Sequence, residues 1–313
     1  MANSEINNRL PHLPVLYHEI ITALRPISPG LYVDCTVGAG GHAAGILENS
    51  SPSGNLLGLD LDPQALALAS RRLSQYGERV HLQQASYTSL LEQIHKLGWE
   101  NVQGILFDLG VSSMQVDTPE RGFSFLTNGP LDMRFSPDQP EQAADLVNRL
   151  PENQLADILW RYGEETKSRQ IARTICQARP IQTTQELAEV ISRVFRRQRG
   201  RIHPATRSFQ ALRIAVNQEL QALESTLPQA VEALSPGGRL AVISFHSLED
   251  RIVKQYFRQE SRDCICPPEQ PVCTCHHTAT IVEINRHPIA PTDQEIEANS
   301  RSRSAHLRIA EKL

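Results

Sequence analysis

The sequence predicts an α/β fold: a Rossmann-like parallel sheet interrupted by an inserted all-helical domain. Three observations predict it. Short apolar runs alternate with helix-like periods over the first hundred residues, a long stretch then reads as helices with no strand, and the sheet pattern resumes near the end. The first run, Leu31-Tyr32-Val33-Asp34-Cys35, leads into glycines and reads as a buried strand. A helix is expected over 42–48, and a second strand over Leu56-Leu57-Gly58-Leu59-Asp60. The next helix, 63–73, has Asp62 as its N-cap, Pro63 at its first position and Leu66, Ala69 and Leu73 at helical spacing. Val80-His81-Leu82 and 104–108 supply two more strands. Such alternation implies right-handed crossovers between parallel strands.

The pattern changes after Asp108. Residues 109–140 are rich in Gly, Ser, Pro and Asp and read as a long loop. Loops of this length are functional or disordered, and Phe123, Phe125, Arg121 and Arg134 argue for function. Helices follow over 141 to about 225, with apolar faces from Leu146, Leu150, Leu155, Ile158 and Leu159. Ser235-Pro236-Gly237-Gly238 reads as a turn, 239–245 as a strand and 248–258 as a helix. Residues 280–284 and 306–309 form a candidate closing strand pair. The domains expected are therefore a discontinuous unit, 1–115 with 216–313, and a loop-plus-helical insert, 116–215.

The 313 residues are 40% hydrophobic and 21% charged, with a net charge of −4, so any nucleic-acid contact must come from local basic clusters. No stretch approaches the roughly 18 apolar residues of a membrane span. The polar N-terminus lacks the apolar core of a signal peptide. Both features lead us to expect a cytoplasmic protein with reduced thiols.

The run Asp34-Cys35-Thr36-Val37-Gly38-Ala39-Gly40-Gly41-His42 follows the first strand and opens a helix. Glycines there permit a sharp turn and a close backbone approach to a ligand. Asp60, at the end of the second strand, is placed to accept hydrogen bonds from ribose hydroxyls. A nicotinamide-dependent oxidoreductase would share this layout. Its third glycine is absent here, however, and Asp34 would repel a pyrophosphate. A cofactor with a sulfonium and an ammonium group tolerates that carboxylate, which favours S-adenosyl-L-methionine.

These residues, with several longer words, closely resemble the bacterial ribosomal RNA small-subunit methyltransferase H family. The words are Asp108-Leu109-Gly110-Val111-Ser112-Ser113-Met114-Gln115, Arg121-Gly122-Phe123-Ser124-Phe125, Gly129-Pro130-Leu131-Asp132-Met133-Arg134, Tyr162-Gly163-Glu164-Glu165, His203-Pro204-Ala205-Thr206-Arg207, Ser244-Phe245-His246-Ser247-Leu248-Glu249-Asp250-Arg251 and Asn299-Ser300-Arg301-Ser302-Arg303-Ser304. The resemblance spans nearly the whole chain. It implies a Rossmann-like methyltransferase sheet with a helical insert. It also implies S-adenosylmethionine-dependent methylation of the exocyclic N(4) amine of a cytidine in the decoding region of 16S ribosomal RNA, within the small subunit. The family's cofactor contacts carry over to Gly40, Gly41, His42, Asp60, Tyr87, Asp108 and Gln115. Tyr87 stands where the family often has Phe, and Met114 where it usually has Pro.

An exocyclic cytosine amine is a poor nucleophile, because its lone pair is delocalised into the ring. An acceptor near the amine would stabilise the charge that develops there. DNA amino-methyltransferases use an Asp/Asn-Pro-Pro-aromatic loop after the fourth strand. Asp108-Leu-Gly-Val lacks its prolines and aromatic residue, so neither that mechanism nor a DNA substrate carries over. Asp108, Asp132 and His246 stand as candidate acceptors. Arg193, Arg196, Arg197, Arg199 and Arg201 form a basic run that could contact RNA phosphates, with Arg207, Arg213, Arg301 and Arg303 further on. Cys264-x-Cys266 and Cys273-x-Cys275 hold enough ligands for a tetrahedral zinc site. Members of the family with and without such cysteines exist, which keeps zinc out of the chemistry. The rival function is a non-catalytic RNA-binding ribosome-assembly factor, against which the intact glycine loop with Asp60 and Asp108 argues.

Overall fold

The computed structural model describes residues 14–195, 203–267, 270 and 272–313. In chain order the elements begin with α1 (Tyr17–Leu24), β1 (Leu31–Asp34), α2 (Gly41–Asn49), β2 (Asn55–Asp60), α3 (Pro63–Leu73), β3 (Val80–Gln84), α4 (Leu90–Lys96) and β4 (Val102–Asp108). Then come α5 (Ser113–Asp117), α6 (Ala143–Arg149), α7 (Glu152–Gly163), α8 (Ser168–Ala178), α9 (Thr184–Arg193), α10 (Thr206–Asn217) and α11 (Glu219–Ala233). The chain closes with β5 (Leu234–Ser244), α12 (Ser247–Glu260), β6 (Ile281–Glu283), α13 (Asp293–Ala298) and β7 (His306–Lys312).

The seven strands form one sheet in the order β3-β2-β1-β4-β5-β7-β6. The first five are mutually parallel, and β7 runs antiparallel to both β5 and β6. The order reverses at β1, so the loops leaving β1 and β4 open a crevice at the carboxyl edge of the sheet. The centre of the sheet is buried on both faces, as a parallel sheet covered by helices requires. One face packs Val33, Leu57, Ile105, Phe107 and Val242 against Leu223, Leu227 and Val231 of α11. The other packs Leu56, Leu106 and Ile243 against Ile20, Leu24, Ile46 and Leu47 of α1 and α2. A separate helical core, from Leu131 to Val216, joins α6 to α10.

Two expectations need adjusting. Helix α1 was not expected from residue period, and its Tyr17 packs on α2. A Cβ on Gly45 would come within 2.5 Å of the Tyr17 hydroxyl, so only glycine admits this approach. The expected turn at 235–238 is absorbed into β5. Val102 pairs with Leu234 and Gly104 with Arg239, and the residues between bulge out of register around Gly237 (φ 79°).

The loop after β4 is ordered by ion pairing more than by secondary structure. Ser112 caps α5 in a capping box with Gln115. Arg121 pairs with Asp62, which is 1% exposed, and donates to the carbonyls of Arg134 (2.9 Å) and Phe135 (3.0 Å). Removing one partner of a buried pair leaves an uncompensated charge, which costs about 3–5 kcal/mol. Arg121→Met is therefore expected to lower the unfolding free energy by about 3 kcal/mol in urea titrations. An unchanged midpoint and slope would show that the pair does not hold the loop.

Candidate active site

A cleft of about 730 Å³ opens at the carboxyl edge of the strands. Its walls come from the β1–α2 loop, the end of β2, Tyr87, the β4–α5 segment through Gln115, and the 298–301 segment. The β1–α2 loop bends through Gly38 (φ 51°) and Gly40 (φ 76°), a region that favours glycine. A Cβ on Gly38 would have only the Thr36 carbonyl, 3.8 Å away, as a neighbour, so the loop faces open space. Gly40 instead backs onto Leu73 and Ala69 of α3.

Asp60 is fixed before any ligand arrives. Its Oδ2 accepts from the Gly38 N–H and its Oδ1 from the Asp62 N–H, each at 2.9 Å. Burial raises its pKa, and these backbone donors oppose the shift. Tyr87 sets its ring edge-on to Phe107, with centroids 5.6 Å apart. Its phenol is pushed up, first by burial and then by Glu219 and Glu249.

Three titratable groups meet beneath the loop. Asp34 is 1% exposed and accepts from the Thr36 N–H. Burial lifts its carboxyl to about 7, against the opposing influence of His42 and that N–H. His42 Nε2 lies 3.6 Å from Asp108 Oδ2, too far for a hydrogen bond, and its ring stacks on Tyr17. Among the described residues, both His42 nitrogens and Asp108 Oδ1 are buried without a hydrogen-bond partner. Unsatisfied buried polar atoms are costly, and here they border an open cleft. The Asp108 N–H donates to Thr36 Oγ1 at 2.7 Å, tying β4 to the glycine loop.

The remaining wall contains a buried network absent from the sequence reading. Glu219 and Glu249 both line the cleft. Glu219 accepts two bonds from Arg213, at 2.8 and 2.9 Å. Glu249 accepts from the Phe245 N–H at 2.8 Å and lies 3.1 Å from His246 Nε2. Burial raises Glu219 despite Arg213. For Glu249, His246, Arg213 and the Phe245 N–H outweigh burial and hold the carboxyl below its ordinary value. A signal for Glu219 existed: it shares the i, i+4, i+8, i+12 stripe of α11 with Leu223, Leu227 and Val231.

The structure thus brings Gly41, His42, Asp60, Tyr87, Asp108 and Gln115 to one cleft, with Gly40 at its back. The Gln115 amide is engaged at both ends, accepting from the Ser112 N–H and donating to Asp62 Oδ2. Asp132 does not line the cleft. Its carboxylate accepts from the Arg134 backbone and guanidinium at 2.8–3.0 Å, which braces its own turn. His246 also stands off the lining; its Nδ1 caps α12 and its Nε2 faces Glu249. Arg213 is committed to Glu219 and is not a surface phosphate contact. Arg301 pairs with Asp117 at the cleft rim. Arg207 is exposed at the start of α10. Arg196, Arg197, Arg199 and Arg201 lie outside the described residues.

A parallel sheet with one reversed strand and a glycine loop facing an acid-lined cleft defines a Rossmann-like, S-adenosylmethionine-dependent methyltransferase. The residues fit that cofactor: a pinned carboxylate for hydroxyls, an aromatic wall, and carboxylates where a cationic group gains most. A sequence model of the MraW methylase family matches residues 9–313, and the chain belongs to that family. It is 54% identical over 303 residues to a Dehalococcoides mccartyi protein named ribosomal RNA small subunit methyltransferase H, covering 97% of this chain and 87% of that one. Proteins of the same name from Thermomicrobium roseum and Heliobacterium mobile are 50% and 48% identical. These matches cover 96% of this chain and 94% and 99% of theirs.

Two outcomes are expected. Asp60→Ala should weaken S-adenosylmethionine binding by about 1–3 kcal/mol, the range for losing a charged hydrogen-bond partner. Unchanged affinity by calorimetry would reject this role for Asp60. The second outcome concerns Asp34, whose folded value of about 7 exceeds the ordinary 3.8. Between those values the unfolded chain binds fewer protons, so this group erodes stability as pH rises. The slope is at most about 1.4 kcal/mol per pH unit. Denaturation of Asp34→Asn should show that variant gaining on the wild type from pH 4 to pH 7. Parallel pH profiles would refute the shift.

Proposed function

We propose that the chain transfers a methyl group from S-adenosylmethionine to the exocyclic N(4) amine of a cytidine in the decoding region of 16S ribosomal RNA. The small-subunit ribosomal RNA methyltransferase names carried by its relatives support the substrate class. The observation that carries the chemistry is Asp108, at the carboxyl end of β4, with a buried oxygen that no described residue satisfies. The cofactor, when bound, supplies an activated methyl on a sulfonium. Gly40, Gly41, His42, Asp60 and Tyr87 would hold and orient it.

The chain's remaining task is to present the amine. As N(4) gains the methyl and the carbon–sulfur bond breaks to leave S-adenosylhomocysteine, the amine N–H would donate to Asp108 and pass it the proton that the cationic nitrogen must lose; positioning alone lowers such barriers by about 7–11 kcal/mol. Glu219 and Glu249 extend the acidic wall. Arg213 and His246 fix the two carboxylates, so no reorganisation is needed when charge appears. The base must leave its stack to reach this depth.

We assign RNA docking to the 116–215 insert. Arg196, Arg197, Arg199 and Arg207 there offer phosphate contacts, while the sheet unit, 1–115 with 216–313, holds the cofactor. Glu164, at the end of α7, joins the two units by accepting from Ser247 (2.8 Å) and Arg251 (2.9 Å) of α12.

Mass spectrometry of 16S ribosomal RNA from cells with and without the protein tests the reaction. One cytidine should lose a single N(4)-methyl group when the protein is absent. An unchanged methylation pattern would reject the reading. Kinetics of Asp108→Asn assign the acid. If it accepts from the amine, kcat should fall about a hundredfold at saturating cofactor. A rise in cofactor KM alone would make Asp108 a cofactor contact only.

A further inference from the structure

The segment joining α12 to β6 makes little use of a hydrophobic core. Ile265 and Val272 are 42% and 69% exposed. What converges there is sulfur. Cys264, Cys266, Cys273 and Cys275 place their Sγ atoms within 4.8 Å of one another. Cys264 and Cys273 are 3.5 Å apart, Cys273 and Cys275 3.5 Å, and Cys264 and Cys275 3.8 Å.

These separations select among thiol chemistries. A disulfide needs sulfurs about 2.05 Å apart, and none is present. Four thiolates around zinc at about 2.3 Å occupy the corners of a tetrahedron, whose edges are then about 3.8 Å. The observed separations lie close to that edge. Backbone donors also point at the sulfurs. The Ile265 N–H donates to Cys275 Sγ at 3.4 Å and the Thr274 N–H to Cys266 Sγ at 3.5 Å. Such outer hydrogen bonds orient and stabilise metal-bound thiolates. His277 is engaged elsewhere, its Nε2 lying 3.2 Å from the Gln259 carbonyl.

We infer that Cys264, Cys266, Cys273 and Cys275 bind one zinc ion as a tetrathiolate site that closes the α12–β6 connection. The four ligands leave no open coordination position, so the site is structural. Its place in the fold agrees. α12 starts beside the cleft at Ser247, and its 14 residues carry the chain about 21 Å away before the first cysteine. Beyond the knot lies β6, a three-residue edge strand paired only with β7 among the described strands. A short strand in that position gains most from a covalent-strength clamp on its lead-in.

Elemental analysis of the full-length protein, purified in reductant without a polyhistidine tag, is expected to give one zinc per chain. Cobalt(II) added to the metal-free protein should give the thiolate charge-transfer absorption of a tetrahedral sulfur site. Both signals should vanish in Cys273→Ser/Cys275→Ser and persist in Cys176→Ser, which alters a cysteine of α8. Circular dichroism of the double variant should match the wild type, while limited proteolysis should cut it faster between 261 and 280. S-adenosylmethionine affinity should be the same in both. A metal-free wild type with four titratable thiols in this segment would overturn the site. So would two disulfides in protein purified anaerobically, or iron in place of zinc.

Discussion

The buried Asp62 carboxylate is the constraint on which the cleft depends. A charge 1% exposed is untenable without donors, and three converge on it. The Gln64 N–H takes Oδ1, while Gln115 Nε2 and the Arg121 guanidinium take Oδ2. Each donor belongs to a different segment: the first turn of α3, the short α5, and the long loop that follows. One side chain thereby fixes the exit of β2, and so Asp60, relative to the segment that leaves β4 beside Asp108. The desolvation cost of the acid favours this geometry, because withdrawing the Arg121 guanidinium leaves the buried charge without its counter-ion.

Much of the fold was legible from residue period. The 63–73 helix with its Asp62 cap matches α3 at both ends, because cap, first-turn proline and apolar spacing agree there. The central strands were legible because parallel strands buried on both faces read as continuous apolar runs. α1 was missed because its buried face is short and its start at Leu16 has a left-handed backbone without a capping side chain.

The placement of the glycine loop and Asp60 at the cleft was legible, because a loop leaving one parallel strand and an acid ending the next both fall at the carboxyl edge of the sheet. The site was not legible where charges cancel in the interior. Arg213 reads as a surface base until Glu219 is seen against it. Asp132 reads as a free acid until Arg134 folds back on it. Glu249 lies inside a motif that the sequence singles out, yet its partners Phe245 and His246 emerge only when β5 ends and α12 begins. In each case the missing information is the tertiary neighbour, which period and spacing do not carry.

The insert also shapes how the polypeptide can assemble during synthesis. β4 ends at Asp108, and its neighbour β5 does not begin until Leu234. A nascent chain therefore completes β3-β2-β1-β4 and makes seven further helices among the described residues, α5 to α11, before the next strand exists to pair with it. Throughout that interval one side of β4 presents unpaired backbone donors and acceptors, a template for wrong partners. The insert has its own core, from Leu131 to Val216, so it can condense while the sheet waits. Closure then comes late, over a large sequence separation, which is the slow kind of contact to form. The architecture that places a helical module between β4 and β5 thus leaves the sheet open-edged for much of translation, a burden carried by growing chains and absent from finished ones.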